Sequence, residues 1–386
     1  MTPLRLVFLG LSITSSWGNG HATTYRGLIK ALVRRGHRVT FLERDVPWYA
    51  ANRDPVAAEW GSVALYDDLA DLRQRFTAEI ANADAVIVGS YVPEGAQVLR
   101  WVLDTAGGGV AFYDIDTPVT IAALEHGPLD YLDAALLPHL DLYLSFTGGP
   151  LLERIRAAFG VRRAAPLYCA VDPDVHFPEA CARRWDLGYL GTYSADRQPK
   201  VEMLLNGAAR RLPLRRFVVA GPQYPVTVSW PGNVERIEHL PPGRHRQFYS
   251  AQRFALNVTR ADMVAAGWSP SVRLFEAAAC GVPVISDDWP GLASLFAPGR
   301  EILIAADGDR VTDILTSMTD GQSRSIGAAA RRRVLASHTA ASRAAEFEDQ
   351  LTAALPRFRQ HDPATVATGA GCPVREGGTP WTQARS

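Results

Sequence analysis

Lysine is almost missing from this sequence: of 40 basic residues only Lys30 and Lys200 are lysine, and the rest are arginine. With abundant alanine and glycine, that bias is typical of GC-rich coding, where surface lysines drift to arginine. A lysine that persists draws notice, because a compact ammonium and a planar guanidinium do different work. Lys200, in a loop rich in small polar residues, stands out on this ground. Lys30, beside Arg34 and Arg35 on one helix face, reads as an ordinary surface cation. Net charge is also absent, since 40 acidic residues balance the 40 basic ones. Nothing in the composition points to a nucleic acid or an anionic membrane, and the expected partner is a small molecule. Cysteine is scarce, and Cys169, Cys181, Cys280 and Cys372 show no paired spacing. That argues against a zinc cage or a disulfide framework and for the reducing cytosol. No apolar run approaches the ~20 residues that span a bilayer. Leu4 to Leu11 leads into a polar Gly/Asn/His loop rather than a small-residue cleavage site, so it reads as a first strand and not a signal peptide.

What is present is enough for two cores: 386 residues, 47% of them hydrophobic, exceed the size at which one core stops growing. The first half alternates strands and helices as a doubly wound sheet does. Strands are expected at 4–11, 39–42, 85–88, 110–113 and 142–146, with a helix over 22–35 stopped by Gly36. The short apolar runs predict burial on both faces. The pattern restarts near Tyr168, with strands expected at 187–190, 216–219, 234–237, 254–258 and 282–285. The joint lies in Cys169-Ala-Val-Asp-Pro-Asp-Val-His-Phe-Pro, where Pro173 and Pro178 interrupt regular structure. The resulting division is 1–168, 169–339, a helix over 340–357 and a polar tail over 358–386 that is expected to be disordered.

The most informative stretch is 269–291. Ser269 and Pro270 suit an N-cap and a first helical residue, Gly281 a left-handed stop, and Pro283 a block to resumption. Ser269, Arg273 and Glu276 then recur at i, i+4 and i+7 as one polar stripe on a helix otherwise made of Val, Leu, Phe, Ala and Cys. A carboxylate on so apolar a helix needs a partner, either Arg273 on a solvated face or a ligand.

The phrase Arg273-Leu-Phe-Glu276-Ala-Ala-Ala-Cys-Gly281-Val-Pro283-Val-Ile-Ser286 resembles the donor-site signature of GT-B glycosyltransferases, the group that includes sucrose and glycogen synthases. The resemblance implies two Rossmann-like domains facing a central cleft, with Glu276 on the ribose hydroxyls of a nucleotide-sugar donor. The family's signature carries a second glutamate at the register held here by Ser269, so the contact to the transferred sugar differs. With Trp17-Gly18-Asn19-Gly20-His21, the chain looks more like the CgeB-like (spore maturation protein-like) glycosyltransferases. The 340–357 helix would, by the same resemblance, cross back onto the N-terminal domain.

In open α/β sheets ligands sit beyond the carboxyl ends of strands, where backbone amides favour anions. The turn 12–21 meets that requirement, and Gly18, Asn19 and Gly20 permit close backbone approach. The resemblance places this loop at the cleft, with His21 projecting into it. The turn 191–200 is a second such place, and by resemblance Arg197 and Lys200 grip the diphosphate. The turn at Glu238-His239 would lie near the nucleobase, and Ser271 and Arg273 would support the donor. Asp114-Ile-Asp116 ends a strand with both carboxylates expected at the cleft. It superficially matches an Asp-x-Asp metal clamp, but GT-B enzymes offset leaving-group charge with amides, Arg and Lys. Mutual repulsion of the two carboxylates could make one an acid/base group. Glu125 and His126 are further acceptor-side candidates.

The reading is metal-independent transfer of a sugar from a nucleoside-diphosphate sugar to a hydroxyl or amine acceptor, without a cofactor. His21 or Asp116 would be the catalytic group. A nucleotide-sugar epimerase of the same fold and a non-catalytic nucleotide-sugar-binding protein are the alternatives.

Overall fold

The computed structural model describes residues 2–17 and 20–355. Gly18, Asn19 and the expected polar tail lie outside the described residues. The first sheet has seven parallel strands: β1 (Arg5–Gly10), β2 (Arg38–Arg44), β3 (Ser62–Tyr66), β4 (Ala85–Gly89), β5 (Gly109–Asp114), β6 (Leu142–Ser145) and β7 (Ala164–Pro166). Their order is β3-β2-β1-β4-β5-β6-β7, with Leu6 in register with Val39 on one side and Ala85 on the other. The second sheet, also parallel, has six: β8 (Trp185–Leu190), β9 (Phe217–Ala220), β10 (Val234–Ile237), β11 (Gln252–Asn257), β12 (Val284–Ser286) and β13 (Leu303–Ile304), in the order β10-β9-β8-β11-β12-β13. Helices cover both faces, so the central strands are apolar throughout: every residue of β4, Ala-Val-Ile-Val-Gly, is buried. Gly89 is required there, because a Cβ would fall 1.9 Å from the Tyr25 hydroxyl of the Gly20–Arg34 helix.

Both sheets reverse strand order once, between β1 and β4 and between β8 and β11. Crevices outside the carboxyl ends of the strands at these reversals are where such folds bind ligands. Three strands were not expected. β3 is only partly covered and its five residues lack a buried run, while β7 and β13 span three and two residues. Edge strands this short carry too little pattern to read.

The domains are tied from behind the cleft. Helix Ala340–Ala354 packs on the N-terminal sheet, with Phe347 against Phe8 at 5.8 Å between ring centroids. Its Glu348 takes Arg35 at 2.5 Å and His37 at 2.8 Å, which holds that carboxyl below its usual range, Arg35 first. Lys30 is not a surface cation. It is buried and its Nζ lies 2.8 Å from Asp172, 3.1 Å from Asp174 and 3.2 Å from Glu59. It fastens the first helix to the interdomain linker, and a lysine serves because three acids converge on one point charge.

Candidate functional site

The helix bearing Glu276 runs Val272–Ala279 with Ser271 as N-cap, two residues later than expected, and Gly281 supplies the left-handed stop at φ 74°. Ser269 is not the cap because a tertiary contact claims it. It is fully buried, with its Oγ 2.8 Å from Thr147 Oγ1 of the N-terminal domain. Next to it the Gly148 amide donates to the Trp268 carbonyl at 2.9 Å. The register that carries a second glutamate in the resembled signature is thus sealed into the seam between domains.

The expected Arg–Glu stripe is neither solvated nor paired within itself. Arg273 donates from Nε to the Leu190 carbonyl at 2.5 Å and from Nη1 to Asn257 Oδ1 at 2.8 Å, with its guanidinium 4.7 Å over the Tyr189 ring. It fixes the end of β8 against β11, and Ser271 adds a 2.8 Å bond to the same Asn257 oxygen from beneath. Glu276, only 5% exposed, accepts the Tyr249 hydroxyl at 3.0 Å. His176 Nε2 and His245 Nδ1 stand 3.7 and 3.9 Å from its oxygens. Burial pushes its pKa up, but the two histidines, Tyr249 and Arg273 outweigh that and hold it below the usual carboxylate range. A charged carboxylate with spare lone pairs therefore stands at the base of the cleft.

The pocket above it is about 290 Å³ and is lined from both domains, by Ser16, Gly20 and Thr23 on one side and Gly191, Arg197, Gly221, His239, Arg273 and Glu276 on the other. It opens at the carboxyl end of β8. Gly221, at φ 140°, lets two turns touch, since a Cβ there would meet the Gly191 carbonyl at 2.1 Å. Arg197 donates to the Thr192 carbonyl at 2.8 Å, and its buried Nε has no hydrogen-bond partner, so part of its guanidinium is uncommitted. Lys200 is held elsewhere: its Nζ is 2.7 Å from Asp287 Oδ2, and it is not among the lining residues. His239 packs tilted against Trp17 of the N-terminal domain, with ring centroids 4.5 Å apart. A larger cavity of about 620 Å³ lies at the opposite, amino-terminal end of β1 and β2, by Arg5 and Arg38, away from the carboxyl-end crevices.

His21 and Asp116 form a neighbouring cluster. The His21 ring lies 5.5 Å from that of Tyr91, and burial lowers its pKa to about 4, so it is neutral near pH 7. Asp116 accepts the Tyr91 hydroxyl at 3.0 Å and Arg260 of the C-terminal domain at 3.4 Å. Burial raises its pKa, with Arg260 opposing. The expectation that Asp114 shares the cleft is wrong. β5 ends at Asp114, so strict alternation does not reach Asp116. Asp114 points into the core and accepts Tyr143 at 2.6 Å, Thr120 at 2.9 Å and the Asp116 amide at 3.2 Å. Burial nevertheless pushes its pKa up to about 6, and the two carboxylates form no clamp. Glu125 is exposed and paired with Arg154, and His126 is exposed beside it.

Arg197, His239, Arg273, Glu276 and Gly20 thus share one pocket, Ser271 braces it, Lys200 is paired with Asp287 outside its lining, and His21 and Asp116 form a separate cluster. Reading the sequence missed His176, His245, Tyr249 and Asn257, which complete the surroundings of Glu276 and Arg273. The only available signals were the His in the linker phrase and a His three residues after Pro241-Pro242.

Residues 197–349 match the family model described as Glycosyl transferase-like. Among solved structures, the chain superposes on sucrose-phosphate synthase from Thermosynechococcus elongatus with a TM-score of 0.67 at 15% identity, over 91% of this chain and 100% of that one. The fold is GT-B. Anabaena HepE in complex with UDP-glucose matches this GT-B chain with a TM-score of 0.65 at 12% identity, and an alpha-glucosyltransferase in complex with UDP and a 13-mer DNA with 0.64 at 11%, each over 91% of this chain and 100% of the other. No curated protein sequence matches the chain. The stretch matched by the family model carries β9 to β13 and Glu276. No helix among the described residues is long and apolar enough to cross a membrane.

Proposed function

We propose that the chain transfers a sugar from a nucleoside-diphosphate sugar to a hydroxyl or amine acceptor, without a catalytic metal. The observation that carries this reading is Glu276, a buried carboxylate kept ionised at the floor of an interdomain pocket. Its spare lone pairs suit the two vicinal hydroxyls of a ribose. HepE and the alpha-glucosyltransferase, whose structures hold UDP or UDP-glucose, share the GT-B fold, which supports a nucleotide-sugar donor here. In this assignment Glu276 binds the ribose and His239 flanks the base. The uncommitted face of Arg197 meets the diphosphate, whose charge grows as the glycosidic bond breaks. Arg273 holds β8 and β11 in place beneath, and Lys200, paired with Asp287, is left a lesser part in the diphosphate site than Arg197. We assign His21 to hydrogen-bond the attacking group of the acceptor, since burial keeps it neutral at pH 7, although a pKa of about 4 makes it a weak base. Asp116, fixed by Tyr91 and Arg260, orients the acceptor.

The burial of Ser269 supports a sugar contact unlike that of two-glutamate relatives, and with the Trp17 to His21 phrase it favours a CgeB-like assignment. The test is release of nucleoside diphosphate from UDP-, TDP- and GDP-sugars by the purified chain, with and without excess EDTA. Release that persists in EDTA is the expected result. Loss restored by magnesium or manganese would overturn the metal-free mechanism. Free-sugar isomerisation without release would favour an epimerase.

A further inference from the structure

Three side chains from separate segments meet behind the pocket floor: His176 from the interdomain linker, His245 from the short helix His245–Ser250, and Glu276 from the donor helix. One ligand atom of each lies within 4.8 Å of the others. His176 is 4% exposed, and both of its ring nitrogens are buried without a hydrogen-bond partner. A buried polar group left in that state is costly. His245 is oriented differently. Its Nε2 lies 3.3 Å from the Leu240 carbonyl, a group that only accepts, so Nε2 carries a proton and Nδ1 is the nitrogen turned to Glu276. This is the arrangement of a metal-binding histidine, whose far nitrogen is tied to a backbone carbonyl. When His245 is neutral, its Nδ1 lone pair faces the carboxylate at 3.9 Å, and a cation between them would satisfy both.

We propose that His176, His245 and Glu276 form a binding site for a divalent transition-metal ion of the zinc type, and that the ion competes with the donor nucleotide for Glu276. The competition rests on Glu276 holding the ribose; the metal site itself does not. Two imidazoles and one carboxylate are a known zinc ligand set that leaves a fourth position for water, and imidazole selects zinc-like ions over magnesium or calcium. Bonds of about 2.05 Å at tetrahedral angles put ligand atoms about 3.3 Å apart; here His176 and His245 lie 3.7 and 3.9 Å from different oxygens of Glu276 and the three ligand atoms lie within 4.8 Å of one another, so closing the set takes side-chain rotations of about an ångström. Access exists, because His245 and Glu276 line both the donor pocket and a second cavity of about 210 Å³ that opens beside Lys30 and Trp60. Zinc is therefore an inhibitor here and not a catalyst.

The test titrates the chelator-treated full chain with Co²⁺. One equivalent should bind with the visible absorption of a four-coordinate ion, and Zn²⁺ should displace it. His176→Gln should weaken binding at least tenfold while retaining the wild-type melting profile, with His245→Gln as the second variant should the first fail to fold. UDP, TDP or GDP, whichever binds, should bleach the cobalt spectrum, and Zn²⁺ should raise the donor KM in wild type more than in His176→Gln. Absence of stoichiometric cobalt binding, or equal binding by both variants, would overturn the site. Cobalt binding that no bound nucleotide displaces would overturn the competition, and with it the ribose role of Glu276, while leaving the site standing.

Discussion

Glu276→Gln removes one negative charge with almost no change of shape, and so separates the donor role from the structural one. The Tyr249 hydroxyl, 3.0 Å from Oε2, keeps an acceptor in the amide oxygen, so the helix and its packing should persist. A ribose hydroxyl bonded to a carboxylate is worth about 1.5 to 3 kcal/mol, against about 1 for a neutral acceptor. Glutamine also replaces one of two acceptor oxygens with an NH₂. The combined loss is about 1.5 to 3 kcal/mol, or roughly 10- to 150-fold in donor dissociation constant. Because the ribose does not change during transfer, the loss is of uniform binding, and kcat should stay within about threefold. Calorimetric titration with nucleoside diphosphate, paired with steady-state kinetics, reads both. An unfolding profile like wild type with nucleotide affinity within about twofold would refute the reasoning and leave Glu276 as an acceptor for Tyr249 alone.

Arg197→Ala should lower kcat at least tenfold, since its free guanidinium edge meets charge that develops in the transition state, whereas Lys200→Ala, which deprives Asp287 of its 2.7 Å partner, should cost less in kcat. The reverse order in a kinetic comparison would move the diphosphate to Lys200. Asp114, raised to about 6 from 3.8 by burial, favours the folded state while protonated. Its contribution is complete below about pH 4 and is lost as pH rises through 6, amounting to about 3 kcal/mol at 1.36 kcal/mol per pKa unit. The stability of Asp114→Asn relative to wild type should therefore rise between pH 4 and 7 in denaturant titrations; a constant difference would show that the carboxyl titrates normally.

Parts of this site were legible in the sequence because they are local. Gly281 stops the donor helix through its own backbone freedom, and an Arg and a Glu on an otherwise apolar helix had to find partners. The partners themselves were not legible. Asn257, Tyr249 and His245 reach Arg273 and Glu276 from other elements, and His176 arrives from the linker, so no spacing along the chain announces them. Ser269 failed as a cap for the same reason, being claimed by Thr147 across the domain seam. Lys30 looked solvated until the linker brought Asp172 and Asp174 to it. Asp114 was misplaced because the strand ends at Asp114 itself, so alternation does not carry on to Asp116, and Asp114 turns into the core while Asp116 alone faces the cleft. The sheets were readable where strands are central and wholly apolar, as in β4, and unreadable at the edges, where β13 has two residues.

The central claim is that the interdomain pocket binds a nucleotide through its ribose and diphosphate, and thermal unfolding with a panel of UDP, TDP and GDP tests it most directly. At 100 times its dissociation constant a ligand specific to the folded state adds about 2.7 kcal/mol. At least one of the three should raise the melting temperature of the wild-type chain, and should raise it less in Glu276→Gln. If none does, and the corresponding nucleotide sugars do no better, the pocket is not a donor site.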